Sequence, residues 1–139
     1  MPIDMDQLKQ RITEALDAKL ELKRLTSKPC GELSKEAKYA IRYQVIVLAE
    51  ALGGICLHIA KEDLNREPPS FSKCFRLLDK EGVCEDCARD LVKIVGLRNL
   101  LIHLYWTIDD RRVYDSIRND FRGVDRFVES VREKYAVDV

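Results

Sequence analysis

Val45-Ile46-Val47-Leu48-Ala49-Glu50-Ala51-Leu52-Gly53-Gly54-Ile55-Cys56-Leu57-His58-Ile59-Ala60 is the longest apolar stretch of the chain, and whether it crosses a membrane or packs inside a protein decides the fold. A span needs about 20 predominantly apolar residues. This stretch is shorter and is interrupted by Glu50 and His58. Traced back to a capping residue at Ser34, its apolar positions Ile41, Val45, Leu48, Leu52, Ile55 and Ile59 fall three or four apart, which is the period of a helix. The apolar arc is so wide that more than one neighbour must cover it, either two helices of the same chain or one helix and a second subunit. Gly53-Gly54 costs a helix roughly 1 kcal/mol per glycine relative to alanine, so a kink or a close helix crossing is expected there. His58, between Leu57 and Ile59, reads as a core or boundary histidine with one nitrogen satisfied.

On the N-terminal side, Leu8, Ile12, Leu16 and Leu20 recur every fourth residue, widened by Ala15, Leu22 and Leu25. This is an amphipathic helix that Asp4 or Asp6 would cap. Thr26 to Gly31 contains Pro29 and Gly31 and reads as the turn into the second helix. On the C-terminal side, residues 61–70 are polar and close on Pro68-Pro69, which predicts a mobile loop. A short helix follows from Phe71 to Lys80, anchored by Phe75 and Leu78 and stopped at Gly82. The next helix is expected to start near Cys84, to pack through Leu91, Val92, Val95 and Leu101, and to end between His103 and Trp106. Asp109-Asp110 suits the start of a last helix, where negative charge meets the helix dipole. Val113, Ile117, Phe121, Val124, Val128, Val131 and Tyr135 then repeat without interruption. No strand pattern, internal repeat or glycine-rich phosphate loop interrupts this reading. The 139 residues predict one domain, an all-α antiparallel bundle of four long helices and a short one.

Charge narrows the function. With 24 basic and 24 acidic residues the formal charge is zero, which argues against a protein that coats nucleic acid by overall attraction. Any RNA contact must be local. The acidic opening Met1 to Asp6 does not look like a signal peptide, and the expectation is a soluble, cytoplasmic protein with no membrane partner. Five scattered cysteines then read as reduced thiols rather than a disulfide framework. Cys84 and Cys87 have the spacing of half a zinc site, but only Cys74 lies near and no histidine does, so neither a metal nor another cofactor is expected.

The chemistry concentrates in Arg98-Asn99-Leu100-Leu101-Ile102-His103-Leu104-Tyr105. A guanidinium in an apolar run is costly to bury alone, so Arg98 should either meet an acid or line a cleft. At about 100° per residue, Arg98, Ile102 and Tyr105 make one stripe and Asn99 and His103 the next, bordering a single groove. Arginine, a polar residue, three apolar residues, histidine, any residue and tyrosine together resemble the signature of HEPN-domain ribonucleases, in particular the HepT-like toxin family. The resemblance extends over residues 3–135. It implies a homodimer whose groove lies at the subunit interface, an RNA substrate, and a minimal nucleotidyltransferase antitoxin as partner. It also implies AMP attachment at Tyr105, which would add phosphate charge beside Arg98 and repel RNA.

The residues themselves can support metal-independent endoribonuclease chemistry. His103 can exchange protons near neutral pH. Arg98 can donate paired hydrogen bonds to a phosphate and stabilise charge that grows in the transition state. Asn99 is placed to orient His103 or the substrate, and the group that makes the second proton transfer is left unassigned. Arg111, Arg118 and Arg122 share a stripe of the last helix. They are either a solvated face balanced by Asp115, Asp120 and Asp125 or a wall contacting RNA phosphates. The competing reading is a non-catalytic adaptor whose groove binds a nucleotide or a protein, with Arg98 and His103 paired to acids such as Asp109 or Asp90.

Overall fold

A computed structural model describes residues 3–103 and 108–138. Among these residues there are six α-helices: α1 Met5–Leu25, α2 Lys35–Glu62, α3 Phe71–Lys80, α4 Ala88–His103, α5 Asp110–Asp120 and α6 Arg122–Tyr135. A 3₁₀ turn, Cys30–Glu32, lies between α1 and α2. The all-α bundle is as expected, and the polar residues that open its helices do what their positions predict. The side chains of Asp4, Ser34, Ser70 and Asp109 accept the backbone N–H of Gln7, Ala37, Lys73 and Arg112 at 3.0–3.2 Å. Each such cap stabilises its helix by about 1 kcal/mol. At the other ends, Gly82 (φ 77°) follows α3 and Ala136 (φ 52°) closes α6, both in the left-handed region.

The long apolar segment is the central helix. It packs against α1, α3, α4 and α5, so its wide arc is covered mainly within one chain. Leu48, Leu52, Ile55 and Ile59 lose all exposure to solvent. By length and hydropathy α2 could cross a membrane, but most of its most apolar window is buried inside the bundle. The glycine pair marks close approaches. A Cβ on Gly53 would lie 2.5 Å from the Phe71 ring, and one on Gly54 would lie 3.1 Å from the Arg11 side chain. His58 Nε2 accepts the backbone N–H of Asp4 at 3.0 Å, the single satisfied nitrogen expected of a boundary histidine.

Four details depart from the sequence reading. In α1 the buried stripe is Leu8, Ile12, Ala15, Ala18 and Leu22, and Leu20 is 68% exposed. Steps of four residues drift by about 40° each, so three of them carry Leu20 off the face that Leu8 begins. The signature helix starts at Ala88 rather than near Cys84. Cys84 and Cys87 bound the preceding turn, with Asp86 at φ 61°, and they form a disulfide instead of remaining reduced. Their Cα atoms are 5.8 Å apart, within the range that a disulfide bridges. The other three cysteines are free and buried. Burial and a hydrogen bond with Cys74 push the Cys56 thiol far above its ordinary pKa, so it is a packing group rather than a thiolate.

The fourth departure is that the uninterrupted apolar period near the C-terminus belongs to two helices. Phe121 (φ −96°, ψ 15°) leaves helical geometry while its side chain stays in the core. This bend lets α5 reach α1 and α2 as well as α4, while α6 packs on α4. Gly123 sits where a Cβ would fall 2.8 Å from the Asp90 Cβ, and Phe127 meets Phe75 of α3 edge to face at 5.8 Å. Residues 63–70, which hold most of the proline-closed loop, are tied at several points. Arg66 N–H donates to Ala60 O at 2.8 Å, and the Tyr135 hydroxyl donates to Asp63 at 2.7 Å.

Candidate active site

α4 carries Arg98, Asn99 and His103 because its other face, Leu91, Ile94, Val95, Leu97 and Leu101, is fixed in the core. Arg98 therefore emerges at the edge of the bundle, with its side chain 18% exposed. Three groups surround its guanidinium. Asn99 Oδ1 accepts from Nη1 at 2.7 Å. Glu50 of α2 brings Oε1 to 3.2 Å from Nε, although Nε is buried and makes no aligned hydrogen bond. This is a charge contact more than a directed bond, and Glu50 is itself 49% exposed. Beneath the group lies the Phe71 ring, its centroid 4.9 Å from Cζ. That distance is within cation–π range.

Arg98 and Asn99 form one wall of a crevice of about 350 Å³, and Pro68, Pro69, Ser70, Phe71 and Ser72 supply the facing residues. The loop before α3 thus contributes to the site. His103 is the last described residue of α4, exposed to solvent, one helical turn beyond Asn99. Tyr105 lies outside the described residues.

The sequence reading required Arg98 to meet an acid or line a cleft, and it does both. The acid is neither Asp109 nor Asp90. Asp109 caps α5 and Asp90 lies against Gly123. Glu50 had registered only as an interruption of an apolar run, and Phe71 only as the first residue of a short helix. A carboxylate in an otherwise apolar helix was the one available signal that a cation would face it, and it did not say which cation.

The three arginines read as a phosphate wall are divided by the bend. Arg111 lies in the first turn of α5, exposed beside Asp109 and Asp110. Arg118 donates from Nη1 to Thr26 O at 3.0 Å and to the Tyr114 hydroxyl at 3.3 Å, at the rim of a separate crevice of about 460 Å³. Arg122 opens α6 and is exposed. Two of the three acids expected to balance these arginines pair elsewhere: Asp120 with Lys93 at 3.4 Å, and Asp125 with Lys19.

Among the described residues the structure is an all-helical bundle, and that fold matches solved HEPN toxins. The chain belongs to the HepT-like ribonuclease family, whose model matches residues 8–131. It is similar in fold to a toxin-antitoxin crystallised with AMP-PNP, at 17% identity and TM-score 0.83, covering 92% of this chain and 98% of that one. The tri-AMPylated HEPN toxin of Shewanella oneidensis, solved in complex with an MNT antitoxin, matches at 18% identity and TM-score 0.83 over the same shares. YutE, a cytosolic protein of unknown function from Bacillus subtilis, matches at 19% identity and TM-score 0.76, covering 90% of this chain and 88% of that one. No curated protein sequence matches the chain.

Proposed function

We propose that this protein is a metal-independent endoribonuclease, the toxin of a toxin-antitoxin module, which cleaves RNA with Arg98 and His103 in a cleft between two copies of the chain. The observation that carries the reading is Arg98 itself. A guanidinium held by Asn99 and a ring, beside a crevice and next to a charge contact that is not an aligned hydrogen bond, is organised to accept a phosphate. Membership of a ribonuclease family supports the choice of RNA.

In this mechanism His103 takes the proton of the 2′-hydroxyl or returns one to the leaving 5′-oxygen. Arg98 stabilises the negative charge that gathers on the phosphorus-bound oxygens. Asn99 holds Arg98 through Nη1 and is placed to orient His103 or the substrate. The second proton transfer falls to a group of the other subunit or to water. Exposure of Ile102 (44%) next to His103 favours a second copy closing over this end of α4, with exposed Tyr39 and Tyr43 on α2 as further apolar surface. Arg111 and Arg122 remain available for RNA phosphates in such a dimer, and Arg118 can reach one only with the hydrogen-bonding capacity that Thr26 and Tyr114 leave it.

The partner in this reading is a minimal nucleotidyltransferase that attaches AMP to Tyr105. The adduct would place phosphate charge next to Arg98 and silence the nuclease. Solved relatives described as a toxin-antitoxin and as a tri-AMPylated toxin support that assignment. Incubating unmodified protein with RNA in EDTA, before and after stoichiometric adenylylation, tests the whole proposal. Cleavage in EDTA that disappears on modification is expected. An inert unmodified protein would leave the adaptor reading, in which the Arg98–Glu50 pair is purely structural.

A further inference from the structure

Gly53, Phe71 and Arg98 come from three different helices and meet at one ring. The Phe71 ring occupies the space that a side chain on Gly53 would fill, its carbons only 2.5–2.6 Å from where that Cβ would be. The same ring meets the Arg98 guanidinium, its centroid 4.9 Å from Cζ. We propose that Phe71 is a positioning residue for Arg98, seated on Gly53 so that its ring fixes the plane in which the guanidinium presents its free edge to a phosphate. The proposal rests on the nuclease reading of Arg98 and assigns roles to two residues outside the signature.

The other contacts of Arg98 show why a platform is needed. Asn99 engages Nη1, and Glu50 approaches Nε without an aligned hydrogen bond. Among the described residues no hydrogen bond engages Nη2. Two in-plane contacts on an arginine leave it free to tilt out of plane, and a ring against its face removes that freedom. Phe71 suits the task because it begins α3, directly after the Ser70 cap, on the backbone that also walls the crevice. The glycine is explained by the same contact. Any larger residue at position 53 would displace the ring that Arg98 meets.

The ring acts on a group that meets charge growing in the transition state, so its loss should appear in kcat and not in KM. Misplacement of a catalytic group by about 1 Å can cost on the order of 100-fold. Phe71→Leu, which keeps an apolar side chain without the ring, should lower kcat for RNA cleavage roughly 10- to 100-fold with KM within about threefold. Phe71→Tyr, which keeps the ring, should stay within about threefold of wild type. Gly53→Ala should reproduce the kcat loss although alanine is the better helix former. The double variant Gly53→Ala/Phe71→Leu should be no worse than Phe71→Leu alone, since both act through one contact.

A second measurement does not depend on catalysis. The Nε–H resonance of Arg98 in the full-length protein should carry a ring-current shift that Phe71→Leu abolishes and Phe71→Tyr preserves. Wild-type kcat in Phe71→Leu, in a preparation where Arg98→Ala is inactive, would overturn the proposal and leave the nuclease reading standing. If wild type cleaves no RNA, the nuclease reading falls, and an Arg98 resonance unmoved by Phe71→Leu would overturn the positioning role as well.

Discussion

Arg42 and Arg98 are the same chemical group in contrasting surroundings. Arg42, on α2, grips Asp110 at the start of α5 with two parallel hydrogen bonds, Nε to Oδ1 at 2.9 Å and Nη2 to Oδ2 at 2.7 Å. The Asp110 hydrogen bond, opposed in part by burial, raises the pKa of Arg42, so its guanidinium stays charged. Arg98 is no more exposed, 18% against 27% for Arg42, yet it has only a neighbouring amide, a ring and an off-axis carboxylate. A fork that is matched by a carboxylate is spent on holding helices together. One left partly unmatched keeps capacity for a ligand, and that contrast separates structural from functional arginine more clearly than burial does.

The contrast can be broken at either arginine. Arg98→Ala should lower cleavage by about 10²–10³-fold, as loss of a single donor to transition-state charge does, with little change in the melting temperature. His103→Ala should cost on the order of 10²–10⁴-fold. If either folded variant retains wild-type kcat, the site is elsewhere. Arg42→Ala should do the reverse. Denaturant unfolding should give a loss of about 1–3 kcal/mol, between the cost of an exposed pair and a buried one, while the folded fraction keeps its activity.

Smaller effects sharpen the comparison. Glu50→Gln removes the anion beside Arg98, so RNA should bind up to about fivefold more tightly, read as a fall in KM, because a half-exposed pair is worth only about 1 kcal/mol at most. A rise in KM would mean that Glu50 holds the guanidinium in place instead of competing with the phosphate. Least of all, Tyr135→Phe should cost at most about 1 kcal/mol through the lost hydrogen bond to Asp63. Burial, and then Asp63, raise the pKa of Tyr135. A folded-state pKa above the unfolded value of about 10 favours folding below that pH and loses its contribution as pH climbs through the folded value. Wild type should therefore be slightly the more stable near neutral pH and lose ground to Tyr135→Phe above about pH 10, in melting curves run against pH.

Much of the bundle was legible before any coordinates. The caps of α1 and α2, the glycine stop after α3 and the apolar periods of α2 and α4 are local properties, and those helices follow them. The candidate site was legible along a single helix only. Arg98 and Asn99 were found because one helix carries both, whereas Glu50 and Phe71 come from other helices and have no spacing relation to Arg98. The bend at Phe121 was invisible for a different reason. One residue leaving helical geometry does not disturb a spacing of three and four, so a broken helix and a continuous one share the same pattern.

By itself the sequence determined that this protein is a helical bundle with an arginine and a histidine on one helix, because periodicity, caps and the signature are written in neighbouring residues. Only the tertiary structure decided which acid faces Arg98, that a phenyl ring seated on a glycine lies beneath it, and that the last helix divides to reach two sides of the core. Those choices depend on how helices approach one another, and the approach is set by side-chain volumes summed over the whole interior, which no single stretch of chain contains.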